Sequence, residues 1–323
     1  MSELRWHPFH RQWVITATHR QDRTFHPPPG YCPLCPTKDG GFPTEIPFAD
    51  YDIVVFENKF PSLSTTPPEP SVEGTWLTPV RPSEGVCEVV CYSSDHDATF
   101  SSLPLSQIKK LTRVWTQRYV ALDERPEIEY VFIFENKGKE IGVTLSHPHG
   151  QIYAYPFIPP VLKEELAAER EHWNEHGRPL MQDVIEEELA DGRRLVWESD
   201  LFIAFVPSFA RYPYEVYVAP KVHVRHIGDM DGAMLDGLAQ ALQVVARKLD
   251  ALFGFSMPYV MAMHQEPTAP GYEFAWLHVE FYPPYRTAEK LKYLAGSEAG
   301  AGAFINDTLP EETAQRLRSL SVE

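Results

Sequence analysis

Two stretches of the chain carry the same order of hydrophobic and polar positions. In each, two short apolar segments predict β-strands, a segment with apolar residues at helical spacing predicts an amphipathic helix, and two more apolar segments predict strands. The repeat predicts a duplicated α+β unit, an antiparallel sheet with helices on one face. The segments of the first half are 52–63, 86–94, 106–122, 130–136 and 146–156, and those of the second half are 201–213, 215–223, 233–253, 258–264 and 275–284.

The segments outside this repeat have a different composition. Between the halves lies an acidic segment, 161–192, whose pattern predicts helix. Two stretches, 26–31 and 64–74, hold six of the 30 prolines and predict ordered surface loops. The predicted architecture therefore has two similar units joined by helical sequence.

Composition limits the possible functions. The chain has 323 residues, of which 43% are hydrophobic, so we expect a folded protein with a sizeable core. A formal net charge of −16 argues against a general nucleic-acid binder, because neutralising phosphates needs clustered Lys and Arg. The chain shows no apolar run long enough for a membrane span or a signal peptide. We therefore expect a cytoplasmic protein with neither nucleic acid nor membrane as partner, although local basic groups could hold a small anion.

The segment 146–156, SHPHGQIYAYP, has an unusual number of polar residues for a predicted strand. Because side chains alternate along a strand, His147, His149 and Gln151 project to one face. Gly150 allows another group to approach the main chain closely. The segment could hold a nucleophile, a metal ligand or a pair of hydrogen-bonded structural histidines.

The cysteines indicate a metal site. Cys32 and Cys35 have the spacing of a metal-chelating turn, and tetrahedral zinc needs two further ligands. His96 and His147 lie at the ends of predicted strands and can complete a Cys₂His₂ site. The alternative is a pair of reduced thiols in a turn. The other two cysteines, Cys87 and Cys91, are interpreted as core residues.

Four motifs together resemble the galactose-1-phosphate uridylyltransferase family, the transferase branch of the histidine-triad superfamily. They are HPHGQ at 147–151, CPLC at 32–35, DH at 95–96 and FENKG at 134–138. The resemblance extends from about residue 5 to about residue 300. It implies two tandem histidine-triad-like units, each an antiparallel half-barrel with helices on one face. Residues 1–160 would form the catalytic unit with the zinc site, and residues 161–323 a unit without a nucleophile that contributes to the dimer and the sugar-phosphate site.

The resemblance implies a two-step transfer of UMP from UDP-glucose to galactose 1-phosphate. His149 would attack the α-phosphorus and carry the uridylyl group, while the carbonyl of His147 would hold the other ring nitrogen. Gln151 stands where the superfamily's hydrolases have a third histidine. An amide can hold a phosphoryl oxygen but does not shuttle protons at neutral pH, which suits a transferase between sugar phosphates.

The resemblance also assigns substrate contacts. The loop before the histidines reads VTLS at 143–146, so Thr144 keeps a hydroxyl at the family's phosphate-binding serine while its cysteine, asparagine and proline are absent. Sugar-phosphate contacts come from the partner subunit in the family, which implies a homodimer, and they fall on Lys292 and Glu298, with a looser match at Asn306. The expected uridine and phosphate contacts are Arg20, Arg23, Leu34, Phe56, Asn58, Phe60, Asn136, Thr144 and Gln151.

A second metal site, known in some family members, falls on the C-terminal half. Its positions match Glu165, His264, His278 and Glu280, a set that could bind Fe or Zn. The alternative is a hydrogen-bonded polar cluster in a half that has lost its activity. Comparison of the two halves as sequences sets His278 opposite His147 and Glu280 opposite the nucleophile.

Three other functions remain open from the residues. A related transferase could use an ADP-sugar or a dinucleoside polyphosphate with the same histidine chemistry. A zinc-stabilised nucleotide-sugar-binding module would bind without turnover. A metallohydrolase is the least favoured, because a closed Cys₂His₂ site leaves no position for water.

Overall fold

The computed structural model describes residues 2–22, 27–28 and 30–322, which form a mixed fold of antiparallel sheets and helices. The helices are α1 (Leu105–Asp123), α2 (Pro160–His176), α3 (Leu180–Asp191), α4 (Gly232–Phe253) and α5 (Pro310–Ser319). The strands are β1 (Ser2–His7), β2 (Gln12–Ala17), β3 (Val54–Glu57), β4 (Val80–Pro82), β5 (Val86–Cys91), β6 (Tyr130–Lys137), β7 (His149–Tyr155), β8 (Leu195–Glu198), β9 (Phe202–Phe205), β10 (Val216–Pro220), β11 (Tyr259–His264), β12 (His278–Tyr282), β13 (Tyr285–Thr287) and β14 (Lys290–Leu291).

The duplicated halves join edge to edge in one antiparallel sheet. Its order is β3-β5-β7-β6-β11-β12-β10-β9-β8, so the order of the first four strands is repeated in reverse by β11, β12, β10 and β9. The junction is the pairing of β6 with β11, for example Lys137 with Tyr259. The predicted α+β class of two tandem antiparallel units is confirmed, and the structure adds that the two sheets are continuous.

Both faces of this sheet are covered. The helices α1 and α4 pack against each other and cover one face, with Trp115 and Leu242 among the fully buried side chains. In β5 all six residues are buried, and Cys87 and Cys91 belong to apolar clusters on the other face. Both cysteines are core residues, as predicted. The second face also carries the polar residues of the candidate site.

Most predicted elements are present, with differences at their ends. The predicted strand 201–213 ends at Phe205, because Pro207 and Pro213 cannot donate hydrogen bonds to a ladder. The acidic segment forms two helices, since α2 stops at the left-handed Gly177. The small sheet β2-β1-β4 and the helix α5 were not predicted. The described part of 26–31, and all of 64–74, lies outside the strands and helices, in agreement with the loop prediction.

Candidate active site and metal centre

The polar face of β7 begins with His149. Its ring Nδ1 donates a hydrogen bond of 2.7 Å to the carbonyl of His147. A proton on Nδ1 leaves the lone pair of the neutral imidazole on Nε2. The strand β7 lies between β5 and β6: His149 pairs with Cys91 of β5, and Gln151 pairs on both sides, with Val89 of β5 and Phe134 of β6. The ring and the strand therefore have one defined orientation.

Gly150 is required at its position by the tyrosine packed against it. A Cβ built on Gly150 would lie 2.1 Å from the hydroxyl oxygen of Tyr92 and 3.0 Å from the carbonyl oxygen of Phe134. The backbone of Tyr92 is tied to the same segment, since its amide donates to the carbonyl of Pro148 at 3.0 Å. The glycine between His149 and Gln151 thus lets the core side chain support the reactive strand directly.

We expect Gly150→Ala to lower the free energy of unfolding by roughly 1–3 kcal/mol, because the added methyl group has no space beside Tyr92. Chemical denaturation measures the loss. The double variant with Tyr92→Phe removes the hydroxyl and is expected to recover part of it. Fully additive losses in the double variant would contradict this steric explanation.

A buried carboxyl group lies next to this tyrosine. Glu135 is 4% exposed, and the Tyr92 hydroxyl donates to its Oε2 at 3.4 Å. Burial raises the pKa of Glu135 to about 8, and the nearby Lys137 only partly opposes the shift. The carboxyl group is therefore protonated in the folded protein at neutral pH.

This shift predicts a pH dependence of stability. The pKa of Glu135 is raised from 4.5 to about 8 on folding, so the native state binds the proton more tightly and stability falls as pH rises between these values. We expect Glu135→Gln to reduce that fall by on the order of 2–4 kcal/mol, measured by denaturation at pH 5 and pH 8.5. The exposed control Glu171→Gln should leave the slope unchanged, and an unchanged slope in Glu135→Gln would refute the prediction.

Two cavities adjoin His149. One, of about 350 Å³, is lined by Asn136, Thr144 and His149 together with the loop that precedes the histidines. The other, of about 280 Å³, is lined by the apolar side chains and amides that the family resemblance assigned to uridine. The predicted contact residues that it brings together with His149 are Leu34, Phe56, Asn58, Phe60, Thr144 and Gln151.

The remaining predicted contacts lie elsewhere. Arg20 donates to the carbonyl of Phe60 at 3.1 Å, beside the second cavity, and Arg23 lies outside the described residues. Lys292 is buried against Glu298, with their charged atoms 3.2 Å apart, and neither residue lines the two cavities. Asn306 donates to the carbonyl of Ala210 at 2.9 Å. The sugar-phosphate contacts therefore remain predictions.

The structure brings Cys32, Cys35, His96 and His147 together, with one ligand atom of each within 4.8 Å of the others. The Cys35 sulfur lies 3.4 Å from Nδ1 of His96 and 3.6 Å from Nδ1 of His147. Zn–S and Zn–N bonds in a tetrahedral site separate sulfur and nitrogen by about 3.5 Å. The donor atoms and their spacing therefore fit a tetrahedral metal ion.

Neighbouring groups orient the histidines of this cluster. The Nε2 of His147 donates to the carbonyl of Ser93 at 2.8 Å, which leaves its Nδ1 lone pair facing Cys35. Burial lowers the pKa of His147 to about 4, and a neutral imidazole is the form that binds metal. Ser146, the last residue of the VTLS departure, places its hydroxyl 3.3 Å from Nε2 of His96. Part of that departure thus contacts the metal cluster.

The second cluster, Glu165, His264, His278 and Glu280, also meets within 4.8 Å. His264 Nδ1 lies 2.7 Å from a Glu165 oxygen, and His278 Nε2 lies 3.2 Å from Oε1 of Glu280. The other Glu280 oxygen accepts from Arg211 at 3.0 Å. Two imidazoles and two carboxylates could hold a cation, and the same side chains also pair with one another.

Strand pairing aligns the two halves. In the N-terminal half, Phe56 on β3 pairs with Val89 on β5, and Val89 pairs with Gln151 on β7. In the C-terminal half, Phe205 on β9 pairs with Tyr217 on β10, and Tyr217 pairs with Glu280 on β12. Glu280 therefore corresponds to Gln151, and not to the nucleophile as the comparison of sequences predicted.

The same alignment puts His278 at the position of His149. Their hydrogen bonds agree, since His278 Nδ1 donates at 3.0 Å to the carbonyl of Trp276, two residues earlier. The predicted match of His278 with His147 is wrong because it shifted the alignment by two residues along the strand. That the C-terminal half lacks a nucleophile stays a prediction, supported by a His278 ring that is 2% exposed and contacts a carboxylate.

Sequence reasoning missed three residues of the site. Tyr51, Tyr92 and Glu135 each contact it through a side chain from a different part of the chain. Tyr92 lies within the predicted strand 86–94 and Glu135 lies within FENKG, so both residues belong to segments that the sequence had already singled out. Their role depends on which side chains face each other across the sheet, which the motifs do not specify.

Comparisons with known proteins agree with this geometry. The family models of the N-terminal and C-terminal domains of galactose-1-phosphate uridyl transferase match residues 1–159 and 165–323. The galactose-1-phosphate uridylyltransferase of Thermotoga maritima is 41% identical over 325 residues, covering 100% of both chains. That of Streptomyces lividans is 38% identical, covering 99% of this chain and 87% of its own length.

Solved structures give the same result. A uridylyltransferase structure superposes with a TM-score of 0.88 at 36% identity, covering 98% of this chain and 97% of its own. An Arabidopsis thaliana ADP-glucose phosphorylase with bound ADP-glucose reaches a TM-score of 0.75 at 23% identity, covering 100% of both chains, and shows only that the fold is shared.

The fold and the matched domains define a nucleotidyltransferase. More particularly, the chain belongs to the galactose-1-phosphate uridylyltransferase family. The predicted enzyme class, a UDP-glucose–hexose-1-phosphate uridylyltransferase, is confirmed by these relatives. Within the described residues no helix has the length and apolar character needed to span a bilayer.

Proposed function

We propose that this chain moves the uridylyl group of UDP-glucose to galactose 1-phosphate through a covalent adduct on His149. The observation that carries the proposal is the 2.7 Å hydrogen bond from His149 Nδ1 to the His147 carbonyl, at a ring that borders both cavities. This bond directs the nucleophilic lone pair to Nε2. The names of the relatives state uridylyl transfer and galactose 1-phosphate, which supports galactose 1-phosphate as acceptor and a uridine nucleotide sugar as donor.

In the first step, His149 Nε2 attacks the α-phosphorus of UDP-glucose. A P–N bond forms, and the bond from this phosphorus to the bridging oxygen breaks. Glucose 1-phosphate leaves with the bonding electron pair. The resulting imidazolium keeps the Nδ1 proton, which the His147 carbonyl accepts throughout. The neighbouring Gln151 amide would hold a phosphoryl oxygen.

In the second step, a phosphate oxygen of galactose 1-phosphate attacks the same phosphorus. The P–N bond breaks, its electron pair returns to Nε2, and UDP-galactose leaves. Neither step requires a proton to be given to an alcohol, which is consistent with an amide at Gln151 instead of a third histidine.

We assign Cys32, Cys35, His96 and His147 as ligands of a structural zinc ion, which would supply a fixed cross-link between the N-terminal loop and the sheet. His147 then has two roles, since its ring is a ligand and its carbonyl orients the nucleophile. A second Fe or Zn ion at the cluster in the C-terminal half remains part of the proposal.

The unit 1–160 would carry the catalysis, and 161–323 would contribute the dimer contact and the sugar-phosphate site with Lys292 and Glu298. Exposed apolar side chains near these two residues, such as Tyr293 (76%) and Ile305 (58%), are consistent with a covering partner subunit. We therefore propose a homodimer with shared active sites, in the cytoplasm.

Steady-state kinetics test the function. Varying UDP-glucose at several galactose 1-phosphate concentrations should give parallel double-reciprocal lines, as a ping-pong reaction requires. Intersecting lines would contradict the covalent route. ADP-glucose as donor tests the ADP-sugar alternative, and binding of UDP-glucose without product would favour a non-catalytic module.

A further inference from the structure

Tyr51 lies between the metal cluster and the cavity of about 280 Å³ that is lined by Leu34, Phe56 and Gln151. We call this cavity the nucleotide cavity. Its ring packs with Leu34, Cys32 and Phe56 in one apolar cluster. Its hydroxyl lies 2.6 Å from Nε2 of His147 and 3.0 Å from the carbonyl of Leu34. Leu34 lines the nucleotide cavity and stands between the two metal-cluster cysteines. One hydroxyl group thus contacts a ligand ring and the chain that carries two other ligands.

The direction of these hydrogen bonds follows from the groups available. The Leu34 carbonyl can only accept, so the Tyr51 hydroxyl donates to it. The hydroxyl oxygen then accepts from Nε2 of His147, which also points to the Ser93 carbonyl at 2.8 Å. A proton on Nε2 keeps the lone pair of His147 on Nδ1, facing Cys35.

The same ring leads to the nucleophile. The backbone carbonyl of His147 accepts from His149 Nδ1, so a tilt of His147 would move the acceptor that orients the nucleophilic ring. The contacts therefore run from Leu34 through Tyr51 and His147 to His149. Metal ligands commonly depend on such an outer hydrogen bond, whose loss costs roughly 10–100-fold in metal affinity or activity.

We propose that Tyr51 is a positioning residue that couples metal retention to the orientation of His149 and to the nucleotide cavity. This inference rests on the proposed function for its kinetic part, while its metal part stands on the contacts of the ligand residues. The ring of Tyr51 fills the apolar cluster, and the hydroxyl does the coupling.

The test compares Tyr51→Phe with wild type and with Tyr119→Phe. The first change removes the hydroxyl and keeps the packed ring. The control removes a hydroxyl that bonds Asp123 at 3.3 Å in the helix layer, away from the site. Zinc release to a colorimetric chelator is followed after loading with zinc. The rate of adduct formation at saturating UDP-glucose is measured by rapid quench and intact mass.

We expect Tyr51→Phe to release zinc roughly 10–100-fold faster and to form the adduct at least about tenfold more slowly. Tyr119→Phe should match wild type in both. A Tyr51→Phe protein that keeps zinc and reacts like wild type would overturn the inference. A Tyr51→Phe protein that fails to fold when loaded with zinc would also overturn the inference. The variant keeps the packed ring and loses only the hydroxyl, so its fold should be retained.

Failure of this inference is distinguishable from failure of the proposed function. If wild type forms no adduct, the covalent mechanism fails, whereas the zinc-release comparison still judges the metal part. If wild type forms the adduct and Tyr51→Phe forms it equally fast, only the coupling is wrong. Slower chemistry with unchanged zinc release would also refute the coupling.

Discussion

The variant His149→Ala is expected to lose roughly 10⁴-fold or more in kcat, the largest effect of any single change considered. Alanine removes the only atom proposed to bond the α-phosphorus, and the cavities that would hold the substrate remain. UDP-glucose should therefore still bind while turnover is lost. A coupled assay for glucose 1-phosphate release measures the rate.

The matched control is His176→Ala, which removes a half-exposed imidazole near the end of α2. It should retain wild-type turnover. If His149→Ala kept more than about a tenth of the wild-type rate, an effect of this size would not fit a nucleophile. A large loss in both variants would point to an unfolded or inactive preparation instead of lost chemistry.

Loss of the metal ligand Cys35 is expected to have the second largest effect. Cys35→Ser should abolish tight zinc binding and lower the free energy of unfolding by roughly 3 kcal/mol or more, which corresponds to several degrees in Tm. The reason is that Cys35 contacts both His96 and His147, so it joins the loop to the sheet. Metal analysis and thermal denaturation measure the two effects.

Chelator treatment supplies the control for this prediction. Removing zinc from wild type should reproduce most of the destabilisation, and the same treatment should leave Cys35→Ser nearly unchanged. If the chelator shifted both proteins equally, the metal-binding role of this cysteine would be refuted.

Much of the fold could be predicted because the same hydrophobic pattern occurs in both halves of the chain. The helices α1 and α4 and the strands around HPHGQ follow directly from periodicity and turn residues. The continuity of the sheet could not be predicted from this pattern, because the pairing of Lys137 with Tyr259 joins residues from separate repeats. The N-terminal strands were also missed, since polar and charged residues such as Glu3 and Arg5 obscure their alternation.

The candidate site was predictable where single residues carry the chemistry. Cys32, Cys35, His96 and His147 could be grouped because zinc demands four ligands of a few residue types, and they do meet in space. The strand register and the hydrogen-bond partners around the site were harder to predict from the sequence. The alignment of His278 depends on strand register, and a shift of two residues keeps a side chain on the same face, so face alternation could not detect it.

If His149 carries the uridylyl group, intact mass spectrometry after incubation with UDP-glucose should detect the covalent adduct. Wild type should gain the mass of one uridylyl group per chain, peptide mapping should find it on His149, and galactose 1-phosphate should remove it while UDP-galactose forms. His149→Ala should gain nothing. A wild-type protein that turns over without any adduct, or an adduct that persists in His149→Ala, would refute the covalent mechanism on His149.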